Sequence, residues 1–164
     1  MSAKPIIEQL DVLLTLHENL HKLAVQKTEV IKKGDMEKLN KLLIEEQKFV
    51  KEIEQTENKR QRSVAQFFQQ RNELPPTQPS LFDVMEVVAS LERERLDTQR
   101  NQLLHIVAEL KQTNSLNQQL IYHSLQYVNV TLDMLRPQRN NLNYGHPSQA
   151  TQGQVSRGMF DSRA

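Results

Sequence analysis

Between Pro5 and Pro137 the chain contains one glycine, Gly34, and three prolines, Pro75, Pro76 and Pro79. Both residue types disfavour helix interiors, so confining them to two short stretches leaves long segments free to be helical. In the first segment Ile6, Leu13, Leu16, Leu20, Leu23 and Val30 recur at three- and four-residue multiples, beside a second stripe of Leu10 and Leu14. Gln9 and Lys27 are polar exceptions. In the second segment Met36, Leu39, Leu43, Glu46, Val50, Ile53, Glu57, Arg60, Val64 and Phe67 keep heptad spacing, with Glu46, Glu57 and Arg60 as polar members. Stripes of this kind are the contact faces of packed helices. Apolar residues make up 37% of the chain and aromatics 5%. That suits a seam between long helices better than a thick globular core.

Local signals mark the boundaries. Pro5 fits the first turn of a helix, and Lys32-Lys33-Gly34 ends it: the cations complement the dipole, and Gly34 can take the left-handed cap. Asp35 caps the next helix at once, and helices joined by so short a turn run antiparallel. Leu74 to Pro79 cannot continue a helix. Ser80, with Asp83 three residues on, reads as the N-cap of a third helix from about Leu81 to Leu135. Thr113-Asn114-Ser115 is its weakest point, since all three residues have modest helix propensity. Arg136-Pro137 closes it. Residues 137–164, rich in Asn, Gln, Ser, Gly and Arg, read as a flexible tail behind a helical domain of residues 1–136. The expected fold is all-α: an antiparallel, coiled-coil-like bundle of about three long helices, the third open to a break near Asn114.

Several function classes drop out. With 21 basic and 20 acidic side chains, the net charge of +1 provides no electrostatic footprint for nucleic acid or an anionic membrane. There is no cysteine, hence no disulfide, thiol nucleophile or thiolate metal site. No apolar run suits a signal peptide or membrane span, which points to the cytosol. His17-Glu18-Asn19-Leu20-His21 matches the zinc-peptidase pattern H-E-x-x-H, but Ala24 and Lys27 stand where the extended motif needs glycine and histidine. Partly buried surface histidines are the simpler reading. No glycine-rich loop could cradle phosphate, and no serine lies in a nucleophile motif. No metal, cofactor or catalytic residue is expected.

The third helix carries a surplus. Leu120, Ile121, Leu125, Tyr127, Val128, Val130, Leu132, Met134 and Leu135 spread over an arc of roughly 220°, whereas a bundle helix needs a stripe of about 100°. At 1.5 Å per residue the third helix is roughly 80 Å long and the second roughly 57 Å. If the third packs antiparallel on the second, it reaches the Gly34 turn near residue 118 and everything beyond overhangs. An uncovered apolar stripe of this kind marks a protein-binding site. The alternative is a fold-back at Asn114-Ser115 that buries both faces, with a partner helix able to displace it. Tyr144, beside Gly145 in the tail, has no core to bury it and reads as a short recognition element or an inert exposed side chain.

The C-terminal third resembles the FlgN-type flagellar export chaperones. The resemblance rests on Leu116-Asn117-Gln118, Leu120-Ile121, Ser124-Leu125, Tyr127, Leu132 and Leu135-Arg136-Pro137, then Tyr144-Gly145 after a polar spacer. Gly34-Asp35 followed by Leu39, Leu42, Leu43 and Glu45-Glu46-Gln47 is similar to the family's second-helix start, and Met159 to Ala164 to the end of its Gram-positive members. His146-Pro147 departs from the glycine that many members carry there. The resemblance implies a cytosolic chaperone that binds the C-terminal helical segments of hook-associated proteins 1 and 3 (FlgK and FlgL). It implies that these subunits are kept unassembled and delivered to the flagellar type III export apparatus. It implies substrate contacts at Leu116, Leu120, Ile121, Leu125, Val128, Leu132 and Leu135, and docking on the export gate through Tyr144. The competing reading is a coiled-coil scaffold that self-associates through the same stripe.

Overall fold

The computed structural model describes residues 2–72 and 77–136. The chain forms α1 (Lys4–Lys33), α2 (Met36–Gln70), a short α3 (Leu81–Val87) and α4 (Ser90–Leu135). The expected all-α bundle of long helices is what forms, with no strand among the described residues.

The turn between α1 and α2 follows the local chemistry. Gly34 sits at φ 69°, a left-handed conformation that costs glycine little, and its N–H donates to Ile31 O. Asp35 accepts from the Lys38 N–H at 3.1 Å and so caps α2. A Cβ at Gly34 would meet nothing within 4 Å, so only the backbone conformation resists substitution. Gly34→Ala should therefore lower stability by about 1 kcal/mol, measured as a urea midpoint shift with unchanged helicity.

Polar pairs set the direction of the helices. Gln9 donates to Ser63 Oγ, and Lys27 pairs with Glu46 at 2.6 Å, so α1 and α2 are antiparallel. Gln99 donates to Ile7 O and Asn117 to Ala24 O, so α4 runs parallel to α1. The polar residues that interrupt the apolar stripes thus find one another, Glu57 and Arg60 included, through a bidentate pair at 2.6 and 2.7 Å. The Arg60 hydrogen bond holds the Glu57 carboxyl below its usual pKa.

The middle helix is α1. Both α2 and α4 lie along it, and α3 packs on α4. α4 thus packs chiefly on α1, where the sequence suggested a packing on α2. The main core is at the base, where Ile6, Leu10 and Leu13 meet Val64, Phe67 and Phe68 of α2, Val84 and Met85 of α3, and Leu96 of α4. A smaller cluster of Leu20, Ala24 and Leu110 lies higher, with Phe49 and Ile53 packed on it. In α2 only Val64, Phe67 and Phe68 are buried, while Met36, Leu43 and Val50 of its stripe remain exposed. With α4 on α1, the upper part of that stripe is covered only in part, at Leu39 and at Glu46 beside Lys27, among the described residues.

The break in the third helical stretch falls at Val88–Ala89, not near Asn114. Val88 and Ala89 are extended, with ψ of 162° and 154°. Arg93 Nε donates to Met85 O at 2.7 Å across the corner, and Glu92 accepts from Ser2 Oγ and the Ala3 N–H. Around Asn114 the helix continues because its neighbours are engaged with α1. His21 Nε2 donates to Thr113 Oγ1, whose hydroxyl donates to Glu109 O, and Asn117 is buried against Ala24 and Thr28. At the start of α3, Ser80 and Asp83 form the expected reciprocal capping box.

Candidate protein-binding site

The face of α4 that meets α1 repeats every seven residues: Leu96, Leu103, Leu110, Asn117. Leu96, Leu110 and Asn117 are buried, and Leu103 packs on the main core. Seven residues on, the same face reaches Ser124, level with Ile31 by the Ala24–Asn117 pairing, and α1 ends two residues later at Lys33. Every residue from 121 to 130 is exposed within an unbroken helix. The apolar ones include Ile121, Leu125, Val128 and Val130, at 40%, 58%, 49% and 56% exposure. The fold-back that would hide them does not occur.

This free end of α4 and the α1–α2 turn enclose a groove of about 770 Å³. Leu120, Ile121, Leu125, Tyr127 and Val128 form its α4 wall, with His123 and Ser124 between them. Ile31, Gly34, Met36 and Leu39 close it from below. Ser124 donates to Leu120 O within the helix, so the small side chain on the continued seam presents no unmet hydroxyl to the groove.

Of the seven expected contact residues, the groove brings together Leu120, Ile121, Leu125 and Val128. Leu116 is exposed on α4 short of the groove, and Leu132 and Leu135 are exposed beyond it. Tyr144 lies outside the described residues. The sequence reading missed the lower wall. Length matching, which placed Gly34 opposite residue 118, was the signal that could have supplied Ile31, Met36 and Leu39.

The H-E-x-x-H pair does not assemble into a metal centre. His17 Nδ1 donates to Leu13 O at 2.7 Å, and His21 is turned to Thr113. Among the described residues no three His, Asp or Glu side chains are placed to hold a metal ion, and no helix is long and apolar enough to cross a membrane.

Comparison with known proteins gives two matches. A family model described as FlgN protein matches residues 1–152. The chain is also similar to YvyG of Bacillus subtilis (strain 168), a protein described as uncharacterized. The two are 35% identical over 167 residues that take in the whole of both chains. No solved structure matches.

Proposed function

The chain belongs to the FlgN family, whose members are flagellar chaperones rather than enzymes, and from that premise we propose that it captures the C-terminal helical segments of hook-associated proteins 1 and 3. On this reading it works in the cytosol, keeps these subunits unassembled and hands them to the flagellar type III export apparatus. The observation that carries the proposal is the run of exposed residues 121–130 in an unbroken helix, with Ile121, Leu125 and Val128 facing a groove.

The groove continues the seam on which α1 packs, so a partner helix fits it best. Such a helix would extend the bundle beyond the Gly34 turn, its apolar stripe against α4 and the start of α2. The surface it buries is no longer available for packing in a filament, which blocks early assembly. Burial of each large side chain contributes roughly 1.5–3 kcal/mol gross, reduced by ordering costs, so micromolar to nanomolar affinity is expected.

Calorimetric titration of the full chain with C-terminal peptides of the two hook-associated proteins tests the proposal. Saturable one-to-one binding supports it. No binding to either peptide, together with a mass that rises with concentration, would instead favour the self-associating scaffold.

Tyr144 has a separate role on this reading: it docks the loaded chaperone on the export gate. Tyr144→Ala should therefore keep peptide affinity within about twofold, since a substitution away from the groove contacts changes binding little. Export of the hook-associated proteins should fall, as measured in culture supernatants. Loss of peptide binding in that variant would refute the division of roles.

A further inference from the structure

Asn117 is the last buried residue of α4, at 3% exposure. Its Oδ1 accepts from Thr28 Oγ1 at 2.6 Å and its Nδ2 donates to Ala24 O at 2.9 Å. It takes the place in the seven-residue repeat where the preceding turns carry Leu96, Leu103 and Leu110. A fourth leucine would bury comparable surface, so burial does not explain an amide here. We infer that Asn117 is the positioning residue of the groove, fixing through Thr28 and Ala24 the angle and rotation at which the free end of α4 leaves α1.

The argument rests on how the two kinds of contact respond to movement. Leucine packed on leucine tolerates small rotations and shifts, because dispersion contacts have no preferred direction. A buried amide does not. Its two hydrogen bonds hold over a few tenths of an ångström and a limited angle, and a rotated α4 would leave polar atoms buried and unpaired. An asparagine at one seam position is a known device for specifying helix register, where leucine would add stability without direction.

The lower part of α4 is fixed independently. Glu92 holds Ser2 and Ala3, and Gln99, 4% exposed, donates to Ile7 O. Asn117 therefore governs the part above it. The helix from there to Leu135 is about 27 Å long, so a swing of about 10° would carry its tip by roughly 5 Å. The α4 wall would then no longer stand opposite Ile31, Met36 and Leu39.

The test replaces Thr28→Val and Asn117→Leu together, which removes both partners while keeping their approximate shapes. The chain has no cysteine, so engineered pairs take spin labels unambiguously. Glu37→Cys with Asn129→Cys reports the groove, and Glu18→Cys with Lys111→Cys reports the bundle below it, all four at exposed positions. The expected result is a melting temperature within a few degrees of the parent and an unchanged lower distance. The upper distance should broaden or shift by about 3 Å, the displacement that a swing of about 10° gives at residue 129, about 18 Å beyond Asn117. An unchanged upper distance would overturn the inference. So would loss of cooperative melting, which would make the pair a stability element. Affinity for the hook-associated peptides should fall tenfold or more. That last arm rests on the chaperone reading: if the parent binds no peptide, the chaperone reading fails while the distances still decide the role of Asn117.

Discussion

Replacing Leu125 and Val128 together by aspartate should leave the protein folded and abolish peptide capture. Both side chains line the groove, and both are about half exposed in the free protein, at 58% and 49%. The unbound fold therefore loses little when they change. Aspartate has a modest helix propensity, so a small decrease in helicity at the free end is the most that circular dichroism should register. The bound state loses much more. Two apolar burials disappear, roughly 3–6 kcal/mol gross, and two carboxylates are placed where a partner's apolar stripe must sit. Calorimetry should show affinity weakened by at least two orders of magnitude, since each 1.4 kcal/mol is about tenfold. Full affinity in a folded double variant would show that the groove is not the binding site.

The opposite pattern is expected at the base of the bundle. Leu96 is fully buried, in the cluster that joins Ile6, Leu10 and Leu13 to Phe67, Phe68, Val84 and Met85. All four helices contribute to that cluster. Leu96→Ala should cost about 3 kcal/mol in urea unfolding, the usual scale for a buried leucine whose cavity cannot collapse. Peptide affinity, measured where the variant is still folded, should stay close to the parent value. A loss below about 1 kcal/mol would mean that the base does not hold the fold together. The two variants separate what stabilises the chaperone from what it presents to a partner.

Much of this was legible in the residues. Gly34-Asp35 and Ser80/Asp83 are short-range signals, and the structure places a left-handed cap, an N-cap and a capping box there because those residues satisfy local backbone groups. The bare segment after Leu120 was legible from length alone. The break at Val88–Ala89 was not, because neither residue is a helix breaker. It is held by Arg93 on Met85 O and by Glu92 on the start of α1, contacts that exist only once the chain has folded. Gln99 and Asn117 were hidden for a related reason. In a single sequence, a polar residue reads as a solvent-facing one. For Asn117 the seven-residue count from Leu96 was the available clue. The packing of α4 on α1 rather than α2 had one clue, the two apolar stripes of α1, which together make a face broad enough to meet two neighbours.

The central place of α1 also sets an order of events during synthesis. Its pairs with α2 link residues 19 and 54 apart in the chain, as in Lys27–Glu46 and Gln9–Ser63. Its pairs with α4 link residues 84 to 93 apart, as in Asp11–Arg95 and Ala24–Asn117. Closing the shorter loops carries the lower entropic cost, so the α1–α2 hairpin can close while α4 is still on the ribosome. Until α4 arrives, that hairpin exposes the apolar face on which α4 will settle. The new chain is then, for a short time, itself an unassembled helical protein with a bare seam, and its own α4 is what covers it.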